Sequence, residues 1–191
     1  MNLVDIVNNS NTDKNTTHSY LPLYQSLLEE KKYTALNILE IGIQNGGSIK
    51  LWSDFFINAN VYGIDIMDIA HVSDELKNNN KIKLYTSTNA YDIDFFNTQL
   101  LNTNIKFDFL LDDGPHTLES MILFIQLYSQ IMTEDGILMI EDVQSMGWID
   151  ILKNVVPEYL KPFIKVYDLR MNKNRYDDIV FTIDKSKSNN K

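Results

Sequence analysis

The segment Phe107-Asp108-Phe109-Leu110-Leu111-Asp112-Asp113-Gly114-Pro115-His116 is a hydrophobic run that ends in two acids, a turn and an imidazole. A second run, Ile137-Leu138-Met139-Ile140, ends in Glu141-Asp142. If both are parallel strands of one sheet, their carboxyl ends open on the same edge, where Asp113, Glu141 and Asp142 converge. Carboxylates gathered in this way raise one another's pKa unless a positive charge compensates them, and a divalent cation is the natural compensation. The chain has no cysteine, so any metal must sit on oxygen or imidazole. All-oxygen ligation points to magnesium, manganese or calcium rather than zinc or copper. Taken singly, each of these acids is more often a solvated group or a helix cap; their clustering carries the reading.

The elements that must position these groups follow from hydrophobic patterning. Short β-branched runs at Asn37–Ile41, Val61–Asp65, Ile82–Tyr85, Phe107–Leu111 and Gly136–Ile140 alternate with helical segments at Ser48–Phe56, Val72–Lys77, Ile93–Leu101 and Leu118–Met132. This is the pattern of a parallel sheet covered by helices on both faces. A helix across Trp148–Tyr159 follows. The runs Ile164–Leu169 and Asp178–Ile183 are joined by too few residues for a crossover helix, so they should be antiparallel neighbours. His18–Lys32 has helical spacing of Tyr20, Leu21, Leu23, Tyr24, Leu27 and Leu28, with Pro22 in its first turn. The expected organisation is an N-terminal helical cover over 1–34, an α/β domain over 35–184 and a polar, disordered tail over 185–191.

The first strand runs into a glycine turn and a helix: Glu40-Ile41-Gly42-Ile43-Gln44-Asn45-Gly46-Gly47-Ser48. Glycines there let the backbone approach a ligand closely, and the helix start offers unpaired N–H groups. The second strand ends in Asp65, about 20 residues on, where an acid suits the two hydroxyls of an adenosine ribose. Together they argue for an adenosine-containing cofactor. The turn is not G-x-G-x-x-G and lacks a P-loop lysine. No tyrosine has Lys four residues later, which argues against a nicotinamide-dependent dehydrogenase of the short-chain type.

The glycine pattern with Glu40 on its strand resembles the first motif of class I S-adenosylmethionine-dependent methyltransferases. That resemblance implies a Rossmann-like fold: a central, mostly parallel seven-stranded sheet with an antiparallel C-terminal hairpin and added N-terminal helices. Asp112-Asp113-Gly114-Pro115-His116 with Glu141-Asp142, and the N-terminal Thr12-Asp13-Lys14 and His18-Ser19-Tyr20, resemble more narrowly the metal-dependent sugar O-methyltransferases of the macrocin and mycinamicin type. This resemblance implies Asp113, Glu141 and Asp142 as ligands of Mg2+ (or Mn2+) and His116 as the catalytic base. S-adenosyl-L-methionine would meet Glu40, Gly42, Asn45, Gly46, Asp65, Ser87, Asp112, Lys14 and Tyr20. The chain departs from the family at Pro115, where serine is usual, and at Tyr85-Thr86-Ser87-Thr88-Asn89, which lacks the acid common there.

Composition narrows the partners. The formal charge is −9, with 17 Lys and Arg against 26 Asp and Glu, which disfavours the broad basic face of a nucleic-acid binder. The expected acceptor is a small molecule, a sugar or nucleotide-sugar, with Arg170, Lys173 and Arg175 as candidate contacts to a diphosphate. No basic-then-apolar leader and no membrane-length apolar run is present, so a soluble, cytoplasmic protein is expected. Aromatic residues on His18–Lys32 suggest a homodimer. The rival readings are a catechol-type O-methyltransferase, a cofactor-binding inactive partner subunit and an NAD-dependent sugar oxidoreductase.

Overall fold

The computed structural model describes residues 2–186. Seven strands form one sheet: β1 (Asn37–Ile41), β2 (Asn60–Ile64), β3 (Ile82–Tyr85), β4 (Phe107–Asp112), β5 (Met132–Ile140), β6 (Ile164–Asp168) and β7 (Ile179–Asp184). Their order is β3-β2-β1-β4-β5-β7-β6. The pairs from β3 to β5 are parallel, and β7 lies antiparallel to both β5 and β6. The central strands are apolar throughout because both faces are covered.

Successive side chains point to opposite faces, and the two cores follow this alternation. From β1, Leu39 and Ile41 pack with Met121, Phe124, Ile125 and Tyr128 of the helix Leu118–Tyr128 and Ile149 and Leu152 of the helix Ile149–Val155. Ile38 faces the other way, among Leu21, Tyr24 and Leu28 of the helix Leu21–Leu28 and Ile49, Trp52 and Phe55 of the helix Gly47–Phe55. In β4 a register shift between Phe107 and Phe109 lets these two residues enter opposite cores.

Several element boundaries differ from expectation. The helix expected over His18–Lys32 begins only at Leu21, with Pro22 in its first turn; a single helical turn at Leu3–Ile6 precedes it, and Asn8–Tyr20 forms a strap of turns. The helix expected over Trp148–Tyr159 stops at Val155, since Pro157 drives Val156 into extended backbone. The helix over 93–101 widens to π-helical geometry at Phe96–Leu100. β5 starts four residues earlier than its apolar core suggests. Of the tail expected to be disordered, 187–191 lie outside the described residues, whereas Lys185 N–H donates to Gly136 O at 3.1 Å. Tyr20 and Tyr24 are fully buried against the sheet, which removes the basis for a homodimer through that segment. Among the described residues, no helix is long and apolar enough to cross a membrane.

Candidate active site

The carboxyl ends of β1, β2, β4 and β5 are cross-linked by their own backbones. Gly42 N–H donates to Ile64 O, Asp113 N–H to Ile41 O and Glu141 N–H to Asp112 O, at 2.9, 2.9 and 3.1 Å. At Gly42 (φ +82°) a Cβ would lie 1.9 Å from the Asp113 carbonyl oxygen, so only glycine lets these strand ends meet. Asp65 braces the glycine turn: its Oδ2 accepts the Ile43 and Gln44 N–H groups, each at 2.8 Å, and its Oδ1 accepts Met67 N–H at 2.7 Å.

Beside this turn lies a cleft of about 460 Å³, within the range of small-molecule sites. Gly42 and Gln44 form one side; Ile64, Ile66, Met67, Ala90 and Tyr91 supply apolar walls, and Asp65 is a carboxylate within it. Apolar walls and a strand-end acid fit an adenosine. Glu40, fully buried, receives Trp52 Nε1–H at 2.8 Å through Oε2, while its Oε1 makes no hydrogen bond. That oxygen lies 3.4 Å from Lys14 Nζ, so a buried ammonium already stands beside it. Burial pushes Glu40 up to about 7, against the lowering effect of nearby Lys14.

The acids of the same edge divide into two groups. Ligand atoms of Asp113, His116 and Asp142 lie within 4.8 Å of one another. His116 Nε2 is 3.1 Å from Asp113 Oδ1 and 3.6 Å from Asp142 Oδ2, so the imidazole after Pro115 faces the carboxylates. His116 and Asp142 both adopt left-handed backbone (φ 53° and 52°), a sparsely populated state for residues with a Cβ. Burial lowers the His116 pKa, but the hydrogen bond and charge of Asp113, with Asp142 behind them, carry it above the ordinary imidazole value. The two carboxylates offer the oxygen donors that suit a hard divalent cation, with the imidazole beside them.

Glu141 stands outside that group. Its Oε2 lies 2.6 Å from Lys14 Nζ, and Tyr24 Oη donates to its Oε1. Lys14 and Tyr20, expected at the cofactor, face the acids instead: Lys14 pairs with Asp113 and Glu141, and Tyr20 Oη donates to Asp142. The reason is electrostatic, since a buried ammonium and a buried phenol need acceptors and the strand ends supply them. Asn45 and Gly46 line a separate polar depression with Asn8, Asn11 and Lys50. Ser87 (φ 51°) donates its N–H to Met67 O at 2.8 Å, and its neighbours Thr88 and Asn89 line the cleft.

Asp112 accepts both Tyr91 Oη–H and Gly114 N–H on Oδ1, which fixes Tyr91 as a cleft wall. Nothing in the sequence distinguished Tyr91 from other aromatics. Burial lifts Asp112 to about 7, with Tyr91 and Gly114 opposing. A carboxyl raised on folding contributes stability that is fully present below its unfolded pKa near 4 and is lost as pH rises through about 7. In EDTA, thermal melting should therefore occur at a lower temperature at pH 8 than at pH 5. Asp112→Asn, which keeps the Oδ1 acceptor, should flatten that slope; an unchanged slope would clear Asp112.

Sequence reasoning also missed Asp178. Fully buried at the foot of β7, it holds His18 Nδ1 at 2.6 Å and lies 3.4 Å from Tyr20 Oη; with Asp177 and His18 it forms the second group whose ligand atoms lie within 4.8 Å. The basic residues proposed for a diphosphate are already engaged. Arg170 pairs with Asp168 and Arg175 with Asp177, while Lys173 Nζ donates to Asn15 O and Thr16 O at 2.6 and 2.8 Å. Lys173 is thereby a clasp on the strap.

A seven-stranded sheet of this order, with a glycine turn after β1, an acid after β2 and acids after β4 and β5, is the class I S-adenosylmethionine-dependent methyltransferase fold. The MycE methyltransferase of the mycinamycin biosynthetic pathway, solved in complex with Mg and SAH, superposes with a TM-score of 0.68 at 21% identity, over 88% of this chain and 50% of that one. In sequence the chain resembles sugar O-methyltransferases of the macrocin and mycinamicin type. It is 28% identical over 139 residues to mycinamicin VI 2''-O-methyltransferase of Micromonospora griseorubida and 26% identical over 138 residues to demethylmacrocin O-methyltransferase of Streptomyces fradiae. Each match covers 69% of this chain and 33% of the relative, so the chain spans about one third of the length of these relatives. No family model matches it.

Proposed function

We propose that this chain is a magnesium-dependent O-methyltransferase that transfers a methyl group from S-adenosylmethionine to a carbohydrate hydroxyl. The observation that carries this reading is the meeting of Asp113, His116 and Asp142 at the edge of a cleft bounded by Gly42 and Asp65. The likeness to enzymes that methylate macrolide sugars supports the acceptor class.

In this reading Asp113 and Asp142 hold the cation, with Glu141 behind them, and the cleft holds the cofactor between Gly42 and Asp65. Bound there, S-adenosylmethionine supplies an electrophilic methyl on a sulfonium, and magnesium supplies Lewis acidity toward the acceptor oxygen. The chain's own residues must orient the hydroxyl and remove its proton. His116 Nε2 faces Asp113; with Nε2–H donating to that carboxylate, Nδ1 carries the free lone pair. His116 Nδ1 would take the acceptor hydroxyl's proton, and Asp113 and Asp142 would stabilise the resulting imidazolium. The Gly42 and Asp65 turn fixes the direction of attack, because displacement at carbon demands an in-line approach.

The test is transfer of labelled methyl from S-adenosylmethionine to a panel of free sugars, glycosides, nucleotide-sugars and catechols, with magnesium or with EDTA. Magnesium-dependent labelling of a carbohydrate is the expected result. Labelling of catechols alone would overturn the acceptor class, and undiminished labelling in EDTA would overturn the metal.

A further inference from the structure

Lys14 belongs to the strap, far in sequence from the acids it meets. Its Nζ lies 2.6 Å from Asp113 Oδ2, 2.6 Å from Glu141 Oε2 and 3.4 Å from Glu40 Oε1, and its side chain is 2% exposed. One ammonium thus serves three carboxylates from β1, β4 and β5 at the place where the acids of the edge most need a cation. Burying a lysine here is tolerable only because of these partners. Within the strap that carries it, Tyr20 N–H donates to Lys14 O; from outside, Lys173 clasps Asn15 and Thr16, and Asn172 Nδ2 donates to Ser19 Oγ at 3.1 Å.

A divalent cation drawn to Asp113 and Asp142 must contend with this ammonium on Asp113, since like charges in a poorly solvated site repel strongly. We propose that Lys14 is the resting counter-cation of the carboxylate edge, and that a divalent cation loads at Asp113 and Asp142 by displacing its ammonium from Asp113. Metal loading and the position of the strap are then coupled. The same lysine lets the edge fold without metal, so the cation is needed for chemistry and not for folding. This inference rests on the metal reading above and goes beyond it, because it assigns Lys14 to a carboxylate of the metal site and not to the cofactor.

The test is calorimetric titration with magnesium chloride of the wild-type chain, Lys14→Met and Lys173→Met. Lys14→Met should bind magnesium at least tenfold more tightly than wild type and should melt at a lower temperature in EDTA, with magnesium restoring the difference. Lys173 is exposed, so its replacement spares the fold even if Lys14→Met does not fold; loosening the clasp should tighten magnesium binding by a few-fold. The chain has no native cysteine, so a nitroxide on Thr17→Cys reports the strap alone, and its signal should become more mobile on addition of magnesium. Wild-type binding with unchanged or weaker affinity in both variants would overturn the counter-cation role while leaving the metal reading intact. Absence of magnesium binding in all three chains would defeat the metal reading itself, and this proposal with it.

Discussion

Replacing Asp113 with Asn is expected to lower methyl transfer by about 1,000-fold or more, or ~4 kcal/mol of transition-state stabilisation. Asp113 is the one acid that belongs to both halves of the site. Its Oδ1 receives His116 Nε2 and its Oδ2 meets Lys14 Nζ. Burial opposes its ionisation, but Lys14 and His116 hold its carboxyl below the ordinary carboxylate range, so it is charged at neutral pH and suited to a cation. Asn keeps the shape and removes that charge. The cofactor cleft should be largely spared, because Asp113 borders it through a backbone fixed by the Ile41 carbonyl. Calorimetry with S-adenosylhomocysteine and rate measurement on the same preparation separate the two effects. Retained turnover would remove Asp113 from the cation site.

His116→Ala should cost roughly 100- to 10,000-fold in turnover, the range for loss of a general base, with cofactor and magnesium binding kept. The sign of the pH dependence follows from its surroundings. The carboxylates beside His116 raise its pKa, and only the neutral imidazole accepts a proton. The wild-type rate should therefore climb as pH rises through a value above the ordinary imidazole pKa near 6.5. The Ala variant should lack that limb. A variant with a near-normal rate and an unchanged profile would exclude His116 as the base.

The strands were legible because buried parallel strands are continuous apolar runs bounded by glycines and acids, as Phe107–Asp112 is. The same logic located the turn at Gly42 and the acids after β4 and β5, since parallel strands present their carboxyl ends together. The N-terminal extension of β5 was hidden because Thr133-Glu134-Asp135 is polar. Lys14 could not be placed from sequence: its meeting with Glu141 spans 127 residues and is a property of tertiary packing. Asp178 left a trace, two acids directly before the apolar run of β7. Only the fold shows that this carboxylate is buried against His18. Tyr91 acquires its place in the cleft from a hydrogen bond to Asp112, which no local pattern encodes.

The most direct test of the central claim is calorimetric titration of the purified chain with S-adenosylhomocysteine and, separately, with NAD. Saturable one-to-one binding of S-adenosylhomocysteine and none of NAD is expected, because the cleft sets the Asp65 carboxylate among apolar walls suited to an adenosine and lacks the glycine pattern that cradles a pyrophosphate. Binding of NAD without S-adenosylhomocysteine would contradict the methyltransferase reading and turn the site toward sugar oxidation.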